Sequence, residues 1–182
     1  KKKNTWTISK GKNKKVVVKY EVYAFKLSVR TSFLDLTHGF VSGSGVFMFV
    51  ENHLDLSGKL KVVPYEGFSR VSTALPLGNQ KLLYTYSDYD HLVDCPIEIG
   101  NQVVFSFDAA GVKHKVAMYG EGNYLIDKLK TDMAKIIEEE TKVFDQNPNS
   151  EYLFIIHNVV NGQGGLEHKN STTLSVNRWT YG

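Results

Sequence analysis

The chemistry of this sequence is densest in one run, Gly164-Gly165-Leu166-Glu167-His168-Lys169-Asn170-Ser171-Thr172. Two adjacent glycines let another backbone come close. A carboxylate follows at once, then a histidine, and then a strand begins. That order suits an extended peptide lying along a strand edge, with a charged group reading its end. A tight loop before a strand, with Glu167 facing solvent, has the same letters. Spacing alone leaves both readings open.

Other chemistries find less support. Gly120-Glu121-Gly122 precedes a helix as a dinucleotide-binding turn would, but the third glycine position holds Leu125, so it reads as a flexible strand-to-helix turn. The histidines are His38, His53, His91, His114, His157 and His168. No two stand at i, i+4, the spacing that puts two imidazoles on one helix face for zinc, and H-E-x-x-H is absent. The inverted form H-x-x-E-H would need a histidine where Gly164 stands. Ser42-Gly43-Ser44-Gly45 has the wrong order for a nucleophile elbow. Asp90 and Asp94 could pair for acid–base work, but ahead of Pro96 they read as turn and capping residues. Cys95 is the only cysteine, which forbids an internal disulfide and a cysteine-rich metal site.

The elements that must position these residues come in two textures. Val16–Val29 alternates Val16, Val18, Tyr20 and Val22 against Lys19 and Glu21, the period of a strand. Gly45–Val50 is apolar on both faces, as a strand buried between layers would be. Lys59–Val63, stopped by Pro64, and Lys81–Tyr86 are further strands. Asn101–Asp108 and Lys113–Met118 read as a pair joined by Ala109-Ala110-Gly111. A long helix follows Asn123, a suitable N-cap, with apolar residues at Leu125, Ile126, Leu129, Met133, Ile136, Ile137, Val143 and Phe144. Asp145–Ser150 ends it, because Pro148 cannot continue a helix. Tyr152–His157 is a strand, Asn161–Gly165 a glycine-rich loop, and Thr172–Val176 a last strand.

With 182 residues, 42% apolar and 23% charged, the chain is globular. No run approaches the roughly 18 apolar residues of a membrane helix. The net charge of +3 rests partly on Lys1–Lys3 and Lys10–Lys15, which read as solvated surface rather than a nucleic-acid footprint. The basic N-terminus lacks an apolar h-region, so no signal peptide is visible and cytoplasmic and periplasmic locations both stay open. The end, with Trp179 and Tyr181 just past a strand, reads as a cut chain.

Gly164-Gly165-Leu166-Glu167-His168 followed by Asn170-Ser171-Thr172 resembles the glycyl aminopeptidase family of zinc metallopeptidases, whose members often carry a PDZ domain. It is similar to the G-x-M-E-N exopeptidase motif of the wider aminopeptidase group, with Leu166 and His168 in place of Met and Asn. Asn4-Thr5-Trp6, Tyr20-Glu21-Val22-Tyr23-Ala24, Ser28-Val29-Arg30 and Leu34-Asp35-Leu36-Thr37-His38-Gly39-Phe40 resemble the later strands of that family's N-terminal β domain. Tyr89-Asp90-His91-Leu92-Val93-Asp94-Cys95-Pro96 resembles the start of its catalytic domain.

The resemblance implies an α+β fold in two partial domains. Residues 1–80 would be the second half of an N-terminal antiparallel β domain. Residues 81–182 would be the first strands and helix of a thermolysin-like catalytic domain. It further implies a peptide substrate met at its N-terminus by Gly164, Gly165, Glu167 and His168, with Glu167 holding the free amine. Catalytic and zinc-binding residues would lie beyond the chain, so zinc belongs to the full-length parent and the chain alone would be inactive. The alternative is a non-catalytic β-rich module that binds a peptide or protein along an open edge. Neither reading calls for nucleic acid or membrane, and exposed strand edges would invite pairing between copies.

Overall fold

The computed structural model describes residues 3–9, 11–12 and 14–181. Of the lysine clusters, Lys1, Lys2 and Lys10 lie outside the described residues.

The first half builds a five-stranded antiparallel sheet from β1 (Phe25–Ser28), β2 (Thr31–Leu34), β3 (His38–Val41), β5 (Arg70–Thr73) and β7 (Ile97–Gly100), in the order β1-β2-β3-β7-β5. A two-stranded ribbon pairs β4 (Gly58–Lys61) with β6 (Leu83–Tyr86). The short helix α1 (Tyr89–Val93) leads into β7, and the Asp88 carboxylate caps it by accepting from the His91 N–H.

The second half is a mixed sheet of β8 (Val103–Ala109), β9 (Val112–Tyr119), β10 (Glu151–Val159), β11 (Gln163–Glu167) and β12 (Ser171–Asn177), in the order β11-β12-β10-β9-β8. β9, β10 and β12 run parallel, and the two outer strands run antiparallel to their neighbours. Parallel neighbours need a long crossover. Helix α2 (Ile126–Phe144) supplies it between β9 and β10. The molecule is therefore α+β, mostly antiparallel, with few helices.

Alternation along β10 shows how its apolar run is spent. Leu153 and Ile155 join Phe40 of β3 and Ala117 of β9 between the two sheets. Ile156 joins Val116 and Met118 on the opposite face, where Leu129 and Met133 of α2 pack. Burying a side chain such as Ile155 completely stabilises by roughly 1.5–3 kcal/mol. A third cluster, Val62, Leu75, Tyr84, Leu92 and Cys95, holds the ribbon and α1.

Four local expectations change. Residues 16–24 are not a strand and are largely exposed; the strand begins only at Phe25. Gly45–Val50 is not a buried strand, for a 3-10 turn occupies Gly43–Gly45 and Met48, Phe49 and Val50 are exposed. Asn123 does not cap α2, whose N-cap position is Leu125 with no side-chain bond. Its amide instead donates to Trp179 O and accepts from the Tyr181 N–H. Finally, Gln163–Gly165 belongs to β11 rather than to a loop.

Candidate functional site

β11 is the outermost strand of its sheet, so one of its edges is open. Its register against β12 sets Gly164 opposite Ser175, Gly165 opposite Leu174 and Glu167 opposite Thr172. Gly164 has φ of 136°, a conformation that side chains rarely adopt, and a Cβ there would meet nothing within 4 Å. The space over Gly164 is therefore open, and the backbone geometry reserves it for glycine. At Gly165 a Cβ would lie 3.2 Å from Leu174 Cδ2, closer than an ordinary contact, so the leucine side chain would have to give by a few tenths of an ångström.

Glu167 is exposed and ends the strand. Directly opposed residues share a face, so its side chain leaves on the face of Leu174 and Val176, the side on which α2 packs. His168 is one residue on and does not join it. Its Nδ1 bonds Asp94 Oδ1 at 3.0 Å, and the Lys169 N–H donates to Asp94 Oδ2 at 2.9 Å. The structure thus brings Gly164, Gly165 and Glu167 together along one edge and sets His168 to the side. Asp94 is not paired with Asp90; its carboxylate is committed to the turn after β11.

Sequence reasoning passed over a second constellation. Glu98 of β7 accepts from His38 Nδ1 and from His157 Nε2, each at 2.8 Å, and all three side chains are fully buried. An ionised carboxylate only accepts, so it fixes the proton on Nδ1 of His38 and on Nε2 of His157. Tyr119 stacks on His38 with centroids 3.5 Å apart, and Phe40 meets His157 edge-on at 4.8 Å. The signal was there in the strand pattern: a carboxylate between Ile97 and Ile99, and a histidine after Phe154-Ile155-Ile156. What no pattern shows is that residues 60 and 59 positions apart meet.

These three residues could offer ligand atoms to a metal, since those atoms lie within 4.8 Å of one another. The fit to a catalytic zinc is poor. A ligating histidine normally donates its other ring N–H to a partner, and here His38 Nε2 and His157 Nδ1 have none. A catalytic zinc also keeps a position open to water or substrate, which three fully buried side chains do not provide. The arrangement instead joins the first sheet to β10 by hydrogen bonds to one shared charge.

Burial dominates the remaining chemistry. The Cys95 thiol is pushed up to about 12, first by desolvation and then by the charge of Asp94, so it is held as an unreactive thiol. Desolvation holds His114, packed among Phe107, Tyr152 and Phe154, below its ordinary value.

Among the described residues, no helix is long and apolar enough to cross a membrane. No curated protein matches the chain. A crystal structure of an aminopeptidase N family protein from Idiomarina loihiensis is similar, with a TM-score of 0.80 and 34% identity over 86% of this chain. The chain spans 28% of that protein's length. The family described as the peptidase M61 N-terminal domain matches residues 1–101, more than half of the sequence. The chain belongs to the peptidase M61 N-terminal domain family.

Proposed function

We propose that this chain supplies the substrate edge of a zinc-dependent aminopeptidase, with β11 as the strand along which a peptide lies and Glu167 as the group that holds its free amine. The single observation that carries the reading is the open edge of β11, with Gly164 and Gly165 in it and Glu167 at its end. A peptide added to that edge pairs backbone to backbone. The two glycines leave the approach clear, and Glu167 offers a fixed anion to an ammonium group. The second sheet with α2 is, in this reading, the start of a thermolysin-like catalytic domain. Zinc and the residues that hold it lie beyond this sequence, and residues 1–182 alone cleave nothing.

The test is kcat/KM of a full-length protein carrying this chain, as wild type and as Glu167→Gln. The substrates are a peptide with a free N-terminus and its acetylated twin. Losing one partner of a desolvated charge pair costs about 2 kcal/mol or more, so the free-amine peptide is expected to lose at least about 30-fold. The acetylated twin should hardly change. Equal losses on both, or none on either, remove Glu167 from amine recognition. Peptide binding at the β11 edge with no cleavage by the full-length protein would favour the non-catalytic module instead.

A further inference from the structure

Asp94 holds the turn that follows β11 from outside the second sheet. Its backbone closes α1 by donating to Asp90 O at 2.9 Å, while its carboxylate crosses to the far end of the sequence. One oxygen accepts from His168 Nδ1 at 3.0 Å and the other from the Lys169 N–H at 2.9 Å. The next residue, Cys95, is buried with Sγ 3.9 Å from Asn170 Oδ1. Two consecutive residues at the end of α1 therefore meet three consecutive residues of the turn. His168 is 12% exposed, and its Nε2 is buried without a partner. The ring is thus enclosed on one side and held by a carboxylate on the other, which fixes its proton on Nδ1.

This clamp begins one residue after Glu167. An exposed glutamate at the end of an edge strand takes its direction from its backbone. That backbone is held on one side by the ladder to Thr172 and the His168 N–H bond to Ser171 O, and on the other by the Asp94 clamp on the residues that follow. Asp94 is the only charged side chain among the described residues that bonds both His168 and Lys169.

We infer that Asp94 is a positioning residue for recognition of a peptide's free amine: through His168 and the Lys169 N–H it fixes the turn that aims Glu167. The inference rests on the reading of Glu167 above. Loss of the clamp misplaces a binding group without removing it, and small misplacements are costly in a site that works by orientation.

The experiment uses the full-length protein as wild type, Asp94→Asn, Asp94→Ala, Glu167→Gln and the Asp94→Asn/Glu167→Gln double variant. Each is assayed on the free-amine peptide and its acetylated twin. Asp94→Asn is close to isosteric and decides the case if Asp94→Ala does not fold. The expected result is a loss of about tenfold in kcat/KM on the free-amine peptide alone, with no further loss when the change is added to Glu167→Gln, as coupled residues behave. Backbone hydrogen exchange over residues 168–171 should also quicken in Asp94→Asn. A merely structural Asp94 would lower both substrates equally and add its loss to that of Glu167→Gln, and either outcome overturns the inference. If Glu167→Gln alone leaves the discrimination intact, both readings fall. If it abolishes discrimination while Asp94→Asn changes nothing, only the role of Asp94 falls.

Discussion

Glu98 is a fully buried acid in a strand whose neighbours are isoleucines, and its charge is carried by two histidines from different sheets. Burying a charge is costly unless it is paired and hydrogen-bonded. Replacing His157 by Ala leaves the carboxylate with one donor and opens a cavity beside Phe40, so it should destabilise by about 3–5 kcal/mol. The denaturant midpoint of His157→Ala against wild type checks this, and a change within about 0.5 kcal/mol would show that the charge is not held by the pair. At this scale the sequence was legible in part. The run ending in Glu167 shows its glycines and its charge, but it reads as a loop ahead of a strand, whereas it is itself the edge strand β11; Gly164 needs its glycine. Asp94 reads as a turn and capping residue and does cap the end of α1 through its backbone, but the partners of its carboxylate lie 74 and 75 positions away, and no local rule reaches them.

Elements were legible where a partner lay close by. β8 and β9 form a hairpin through Ala110 and Gly111, both at positive φ, and the pair was visible from alternation plus its turn. Residues 16–22 carry the same alternation and do not form a strand. A period of two says which face would be buried; it does not supply a neighbouring strand to bond with. In the same way, α2 was legible from its apolar spacing and its start was not, since Asn123 serves the chain near Trp179 and Tyr181 instead. His114 belongs to this scale because it fills the space between β8, β9, β10 and the end of α2. Burial lowers its folded-state value below the ordinary 6.5, while Asp108 and a bond to the Val112 backbone oppose the shift. The unfolded chain then binds more protons than the folded one once pH drops below about 6.5, so stability falls as pH falls through that window. Urea unfolding of His114→Phe and wild type between pH 7 and 5 should show a shallower decline for the variant. Parallel curves would mean that His114 is not part of it.

The whole molecule is held by what passes between its sheets. Phe40, His38 and Glu98 are covered by β9 and β10, with Leu27 and Phe33 of their own sheet packed at the side. Residues 1–101 produced alone would present that face to water, and Glu98 would lose one of its two donors. Such a chain is expected to unfold without a sharp transition, whereas residues 1–182 should melt cooperatively; a cooperative melt of residues 1–101 at the same temperature would refute the dependence. Calorimetry on both chains makes the comparison. The two-sheet plan was readable as a change of texture along the sequence. The joint between the sheets was not, because its members are single residues scattered through three strands.

That joint also has a direction in time. A ribosome releases His38 first, Glu98 60 residues later and His157 another 59 residues after that. At about 5–20 residues per second, the carboxylate spends roughly 3–12 seconds in a nascent chain that has made only one of its partners. Until β10 emerges, the face that carries Glu98 stays open to water, so β7 can pair with β3 while the carboxylate is still hydrated, and its burial waits for the second sheet. The face of the first sheet around Glu98 is therefore the last to close, and the window before it does is when a nascent-chain chaperone would have most to hold.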